Sequence, residues 1–404
     1  MIRTLSAFTE EMDDIELAIS EIKQQLERQE LLAHSIGLVS CLPAFLETGV
    51  YAALVEALPF DIVGQTTIAG AELGSSSLDI LSLFVITSDE LEFSIGLAGP
   101  VTAEGKDTIA NSYRETLAQV ADKPPVSLII AYAPLLLTVS GDYFIRAFDE
   151  ATGGIPVFGS LAIDNTIDYH NSRVLFREEE YVDYLAYVLV HGVVKPRYYL
   201  ATISDEKISS GTGVVTKSQG NQVMEIDGAP ALQFLLSKGL ATDDEGVIQG
   251  LNSFPYIVDF NDGTDSAIRV IFAMTDEGSA VCLGDIPEGA TLSVGYFDDE
   301  DILRSTRTEL RQLPIGDPSD PGASSDLDTS AINGILIFSC LGRYLNLGFE
   351  SDREVAEVRA RLDQTGIPYA IAYSGGEMCP LGSHTDSSKL TNRFHNSTFI
   401  MLVL

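Results

Sequence analysis

One pattern limits the folds open to this chain more than any other: a strand–helix–strand unit that occurs three times. Near the end, residues 333–343 (NGILIFSCLGR) read as a buried strand closed by a Gly turn. Residues 350–364 follow as a helix, with Val355, Val358 and Leu362 spaced for one apolar face. Residues 367–373 (IPYAIAY) form the second strand and run into Ser374, Gly375, Gly376 and Glu377. Near the start, residues 35–41, a helix over 43–57 and residues 58–64 repeat the order. In the middle, residues 126–132, a helix at 140–151 and residues 154–159 repeat it again. Continuous apolar strands joined by a helix mark parallel pairs covered on both faces, with a right-handed crossover.

Each second strand opens beside a Pro and runs out through small residues to one acid, Glu72, Asp164 or Glu377. In open α/β sheets ligands sit outside the carboxyl ends of the strands, so these three acids are candidate ligand contacts. Gly375 and Gly376 permit close backbone approach to a ligand. Arg343, just past a strand end, has the planar fork that grips a carboxylate. Together Glu377 and Arg343 suit a zwitterion, the acid on its ammonium and the guanidinium on its carboxylate. The competing reading pairs these two with each other or spends them on helix caps. Asn396 and Thr398 are placed to line the same pocket.

The rest of the chain is mixed. Residues 10–33 predict an amphipathic helix capped by Thr9, with Ile15, Ile19, Ile22 and Leu26 as its stripe. It serves either as a partner or dimerisation helix or as a helix packed on its own domain. Residues around 79–88 and 91–99 read as a hairpin turning at Ser88-Asp89-Glu90, and 172–176 with 180–190 as another antiparallel pair. Two short strands flank Gly220-Asn221, followed by a helix at 229–239. Strand-like runs at 255–260, 267–274, 279–283 and 291–296 precede a helix at about 298–313. Residues 314–326, rich in Pro, Gly, Ser and Asp, read as a flexible surface linker. The closing NSTFIMLVL reads as a last buried strand. The fold class is therefore α/β to α+β, two domains, with mixed sheets and three repeated βαβ-like units.

With 404 residues there is room for two cored domains. A net charge of −35 and the want of Lys and Arg clusters argue against nucleic acid and anionic membranes as partners. No secretory leader is visible in MIRTLSAFTEEMDD, and no apolar run nears the roughly 20 residues that span a bilayer. Cys41, Cys282, Cys340 and Cys379 form no CxxC pair, which fits buried thiols in a reducing cytoplasm.

Metal and enzyme signatures fail on spacing. Cys379, His384 and His395 match no zinc pattern. Residues 211–218 lack the second Gly of a phosphate loop, and neither GxSxG nor HExxH occurs. Cys340 with a distant His is a candidate nucleophile, but its apolar neighbours raise a thiol pKa and leave it inert. Of five histidines, His191 at the end of an apolar strand is the candidate haem ligand; its other reading is a satisfied strand-end histidine. No cofactor is expected from the residues themselves.

Four stretches taken as a set carry a family resemblance: Phe158 to Asp164 (FGSLAID), residues 215–232 (VTKSQGNQVMEIDGAPAL), residues 334–343 (GILIFSCLGR), and the closing GGEMCPLG with HNSTFIMLVL. From about residue 34 to the end the chain resembles the bacterial FIST sensory domain, with an N-terminal half at 34–225 and a C-terminal half at 226–404 after the helix of 1–33. The resemblance implies an input module of signal transduction that binds small ligands such as amino acids. One branch implies haem and nitric-oxide sensing. Gly64-Gln65-Thr66-Thr67 departs from the family's Gly-Cys-Ser-Thr-like turn. Relatives are often fused to kinase, cyclase or chemotaxis modules, which do not fit here, so the output is expected to be a separate protein or absent, and the location cytoplasmic.

Overall fold

The computed structural model describes residues 1–28, 30–103, 105, 107–136, 138–166, 169–240, 251–315, 332–382 and 390–404. The linker expected at 314–326 falls almost wholly outside these residues, as does His384.

Three units run in succession. The first holds β1 (Ile2–Thr9), α1 (Ile15–Leu26), β2 (His34–Cys41), α2 (Ala44–Glu47), α3 (Val50–Ala57), β3 (Ile62–Thr66), β4 (Gly70–Glu72), β5 (Ser75–Ser77) and β6 (Leu81–Ser88). The second repeats the order with β7 (Glu92–Ala98), α4 (Thr108–Gln119), β8 (Val126–Ala133), α5 (Gly141–Thr152), β9 (Val157–Leu161), β10 (Val174–Phe176), β11 (Glu179–Tyr181) and β12 (Leu185–His191). The third opens with β13 (Arg197–Ala201) and is interrupted by a β-rich insertion. That insertion comprises β14 (Gly213–Gln219), β15 (Gln222–Ile226), β16 (Ala229–Pro230), α6 (Ala231–Ser237), β17 (Tyr256–Asp259), β18 (Ala267–Arg269), β19 (Ile271–Met274), β20 (Ala280–Cys282) and β21 (Thr291–Val294). The unit then resumes with α7 (Asp299–Gln312), β22 (Ile335–Cys340), α8 (Leu341–Leu347), α9 (Asp352–Leu362), β23 (Tyr369–Ser374), β24 (Glu377–Gly382), β25 (Leu390–His395) and β26 (Phe399–Val403).

The expected parallel pairs are present: β2 with β3, β8 with β9, and β22 with β23. Each lies at the centre of a six-stranded mixed sheet, in the orders β1-β6-β2-β3-β10-β11, β7-β12-β8-β9-β24-β25 and β13-β26-β22-β23-β4-β5. The last two strands of every sheet come from another unit. The hairpin β10–β11 of the second unit completes the first sheet, β24–β25 of the third completes the second, and β4–β5 of the first completes the third. The exchange is cyclic, so the three units close on one another with threefold pseudosymmetry.

Inward faces of all three sheets share one core, in which Leu38 and Phe84, Ile130 and Phe158, and Leu336 and Phe338 meet. Phe158 and Phe338 stack across units with ring centroids 5.6 Å apart. Outward faces are covered by helices: Ile22 and Leu54 on the first sheet, Phe144 and Phe148 on the second, Val355, Val358 and Leu362 on the third. Each such fully buried side chain contributes about 1.5–3 kcal/mol of transfer free energy. The insertion has its own core, around Val215, Phe234 and Tyr256. It is pinned to the body by Arg269, whose buried guanidinium donates to Asp142 on α5 and to the Phe394 carbonyl. Among the described residues, no helix is long and apolar enough to cross a membrane.

Several local expectations change. The first residues form a strand, β1, and the helix after it is α1, capped by Asp14 rather than Thr9. Its buried Ala18, Ile22 and Leu26 pack on its own unit. Gly49, at φ +82°, splits the helix expected over 43–57 into α2 and α3. Strands β6 and β7 do not form a hairpin: they belong to different sheets, because the turn at 88–90 is the junction between units. Likewise β10 pairs with β11 around Arg177, whereas β12 lies in the second sheet.

Candidate functional site

The carboxyl ends of the three parallel pairs converge, and backbone hydrogen bonds lace them together. Ile163 N–H donates to the Thr66 carbonyl, joining the second unit to the first. Gly375 N–H donates to the Leu161 carbonyl and Leu161 N–H to the Gly376 carbonyl, joining third and second. Thr67 Oγ1 donates to the Tyr373 carbonyl at 2.9 Å, joining first and third.

Above this junction lies a cavity of about 520 Å³ to which every unit contributes. The first supplies Leu42, Ile68, Leu78 and Asp79, the second Asp164 to Thr166 and Tyr169, the third Leu341, Tyr344 and Leu345. The size lies within the range of small-molecule sites. A larger cleft of about 740 Å³ opens between β13, β24 and the insertion, away from the parallel strand ends.

Asp164 is the polar anchor of the junction cavity. It is 1% exposed, held on a segment tied to Thr66 and Ala133 by the backbone of Ile163 and Ala162. Its Oδ1 accepts from the Thr166 backbone N–H and hydroxyl, a local turn that fixes the carboxylate. Its Oδ2 has no hydrogen-bond partner among the described residues. A buried carboxylate oxygen left unpaired is costly, so the arrangement favours a donor from a ligand.

The other two acids are not its equivalents. The first residue of each exchanged hairpin faces the same place on the receiving sheet: Val174 opposite Gln65, Glu377 opposite Ser160, Gly70 opposite Ala372. Glu377 thus corresponds to Gly70 and Val174, while Glu72 sits two residues further along and Asp164 precedes its hairpin altogether. Glu72 crosses to the first sheet, accepts from Ser82 Oγ, and is pushed up in pKa by burial.

Glu377 is fully buried and is not among the residues that line the cavity, accepting from Ser374 Oγ at 2.6 Å and Thr398 Oγ1 at 2.7 Å. Burial pushes its pKa up to about 8 against these hydrogen bonds and that of Cys340. The Cys340 thiol is raised well above its ordinary value by burial and by the neighbouring Glu377. It stays protonated, which opposes a nucleophilic role.

Arg343 does not meet Glu377. Its Nε and Nη2 donate to Glu354 Oε1 at 2.9 and 2.7 Å, on the helical side of the third sheet, and Nη2 also reaches the Ile302 carbonyl and Thr306. Among the described residues Nη1 has no partner. The expected zwitterion clamp is therefore split between opposite faces of one sheet. Gly375 and Gly376 serve chain packing: a Cβ on Gly376, at φ +150°, would stand 2.4 Å from Phe394, and one on Gly375 3.0 Å from Ile163. Asn396 is buried and accepts from the Val270 backbone, tying the insertion to the turn before β26.

His191 has both ring nitrogens engaged, with the Pro124 carbonyl and with Ser94 Oγ, the arrangement of a satisfied strand-end histidine. His395 is kept neutral by burial, its pKa lowered to about 3, and its Nε2 donates to the Cys379 carbonyl. Among the described residues, no group of three or more His, Cys, Asp or Glu could hold a metal ion.

Sequence reasoning picked out Asp164 but missed Asp79, Tyr169 and Tyr344. Nothing in their local pattern marks them. Their convergence follows from the cyclic closure of the units.

Comparison with curated proteins gives no match. The family models do match: the FIST N domain over residues 35–229 and the FIST C domain over residues 231–380. Between them they cover most of the chain, which belongs to the FIST family of sensory, signal-transduction domains.

Proposed function

We propose that this protein senses an amine-bearing small metabolite, an amino acid or a related amine, held in the cavity where the three units converge. The observation that carries the reading is Asp164, buried in the cavity wall with Oδ2 unpartnered among the described residues. An ammonium supplies the missing donors and a charge-assisted hydrogen bond. Leu42, Ile68 and Leu341 offer the apolar surface that the rest of a small ligand needs.

The route outward runs through α8. Leu341, Tyr344 and Leu345 form one wall, and Arg343 of the same helix is clamped to α9 through Glu354 and to α7 through Ile302 and Thr306. A ligand that bears on α8 therefore bears on two outer helices, the surface a separate kinase, cyclase or chemotaxis protein would read. The protein does no chemistry of its own in this reading.

A thermal-shift screen of the purified protein against amino acids and related amines tests it. Ligand at about 100 times its dissociation constant adds about 2.7 kcal/mol, a rise of a few degrees for a chain of this size. A shift with one compound that Asp164→Asn abolishes supports the site. A shift that survives Asp164→Asn unchanged would remove it.

A further inference from the structure

We infer that the junction cavity selects amines that carry no carboxylate, and so discriminates against amino acids themselves. The inference rests on the cavity being the ligand site.

Charge in the wall has one sign. Asp79 and Asp164 line it, and among its described lining residues there is no Lys, Arg or His. Arg343, the cation the sequence offered for a carboxylate, is turned to Glu354 on the other side of the third sheet. A zwitterion placed with its ammonium on Asp164 would bring its carboxylate into a space bounded by two aspartates, with no fixed cation to receive it. Like charges brought together oppose binding and are a common device for rejecting wrong partners. The field of the whole molecule adds to this, since a net charge of −35 attracts cations and repels anions.

The remaining wall suits a cation with an apolar body. Tyr169 and Tyr344 both line the cavity, and aromatic rings attract an ammonium. The Tyr344 ring is steadied by an edge contact with Tyr373, centroids 4.9 Å apart. Leu78 and Leu345 stand at the rim, 58% and 52% exposed, as uncovered apolar surface beside a buried acid. An aliphatic or aromatic amine matches both features.

The test is calorimetric titration of the full chain with pairs that differ by the carboxylate alone: phenylalanine and phenethylamine, leucine and isopentylamine, arginine and agmatine. The expected result is at least one pair in which the amine binds about tenfold or more tightly than its amino acid. Asp164→Asn should then weaken the amine by a similar factor, and Asp79→Asn, at an exposed position that does not endanger folding, should weaken it less. Leu345→Arg, which places a cation at the rim, should narrow the gap by improving the amino acid. Equal or tighter binding of the amino acids, still lost in Asp164→Asn, overturns the selectivity and keeps the site. Binding that ignores Asp164→Asn, Asp79→Asn and Leu345→Arg alike overturns the site itself. No heat from either member of any pair overturns the inference as well.

Discussion

Glu354 accepts two hydrogen bonds from Arg343 on a single oxygen, from Nε at 2.9 Å and Nη2 at 2.7 Å, while its other oxygen accepts from Ser339 Oγ at 2.6 Å. The guanidinium is 1% exposed and Glu354 fully buried. The pair joins β22, α8 and α9, and through Thr306 also α7. It is the fixed point against which the cavity wall on α8 is set.

Removing one partner leaves an uncompensated buried charge, which typically costs 3–5 kcal/mol. Arg343→Ala and Glu354→Ala should each lower the denaturant midpoint by about that much free energy. The double variant should cost clearly less than the sum, because the two effects share one interaction. Additive losses in urea unfolding would show that the pair does not act as a unit.

Glu377 makes stability depend on pH with a definite sign. Its folded pKa, about 8, lies above its ordinary value, so between roughly pH 4.5 and 8 the folded state holds a proton that the unfolded chain has released. The favourable contribution is complete below the unfolded pKa and is lost as pH rises through the folded one. Relative to Glu377→Gln, the parent protein should therefore weaken steadily from pH 5 to 8, by up to about 1.4 kcal/mol per pH unit. A constant difference between the two across that range would mean Glu377 ionises normally.

All four cysteines are buried, and the thiols of Cys41, Cys340 and Cys379 are shifted upward chiefly by burial. A thiol reagent at pH 8 should find none of them in the native protein and all of them in denaturant. Rapid native labelling of Cys340 would revive the nucleophile reading, which Cys340→Ser could then test by loss of any turnover.

Much of the fold was legible because buried parallel strands read as unbroken apolar runs, and the helices between them as 3.6-residue stripes. Residues 35–41, 126–132 and 333–343 announced β2, β8 and β22 for that reason. The exchange of hairpins left no such trace. β4, β10 and their partners β5 and β11 are three residues each, and so short a strand carries the same pattern whichever sheet receives it. The site suffered from the same blindness. Glu72, Asp164 and Glu377 look like one repeated feature in the sequence, yet strand register puts them in three different places. Arg343 and Glu354 lie eleven residues apart across the break between α8 and α9, a pairing no helical spacing rule could suggest. Of the three acids, Asp164 alone lines the junction cavity, at the point where the chain leaves β9.

The hairpin exchange makes its own prediction about dividing the chain. A cut after residue 225 leaves the first piece with the β4–β5 hairpin but without β23, the strand that β4 pairs with. The same piece exposes the edge of β9 that β24 would cover, and the other piece loses the β4 edge of its own sheet. It also removes the third face from the shared core of Leu38, Ile130 and Leu336. Unpaired edges of buried, apolar strands invite aggregation, and the exposed backbone groups have no alternative partners. Residues 1–225 expressed alone should therefore be insoluble or lack a cooperative unfolding transition, and residues 226–404 likewise. Produced together, the two pieces should recover a single soluble species, because every exchanged hairpin then finds its sheet. A folded, cooperatively melting 1–225 fragment would show that the exchanged strands are dispensable, and that the two halves are independent domains.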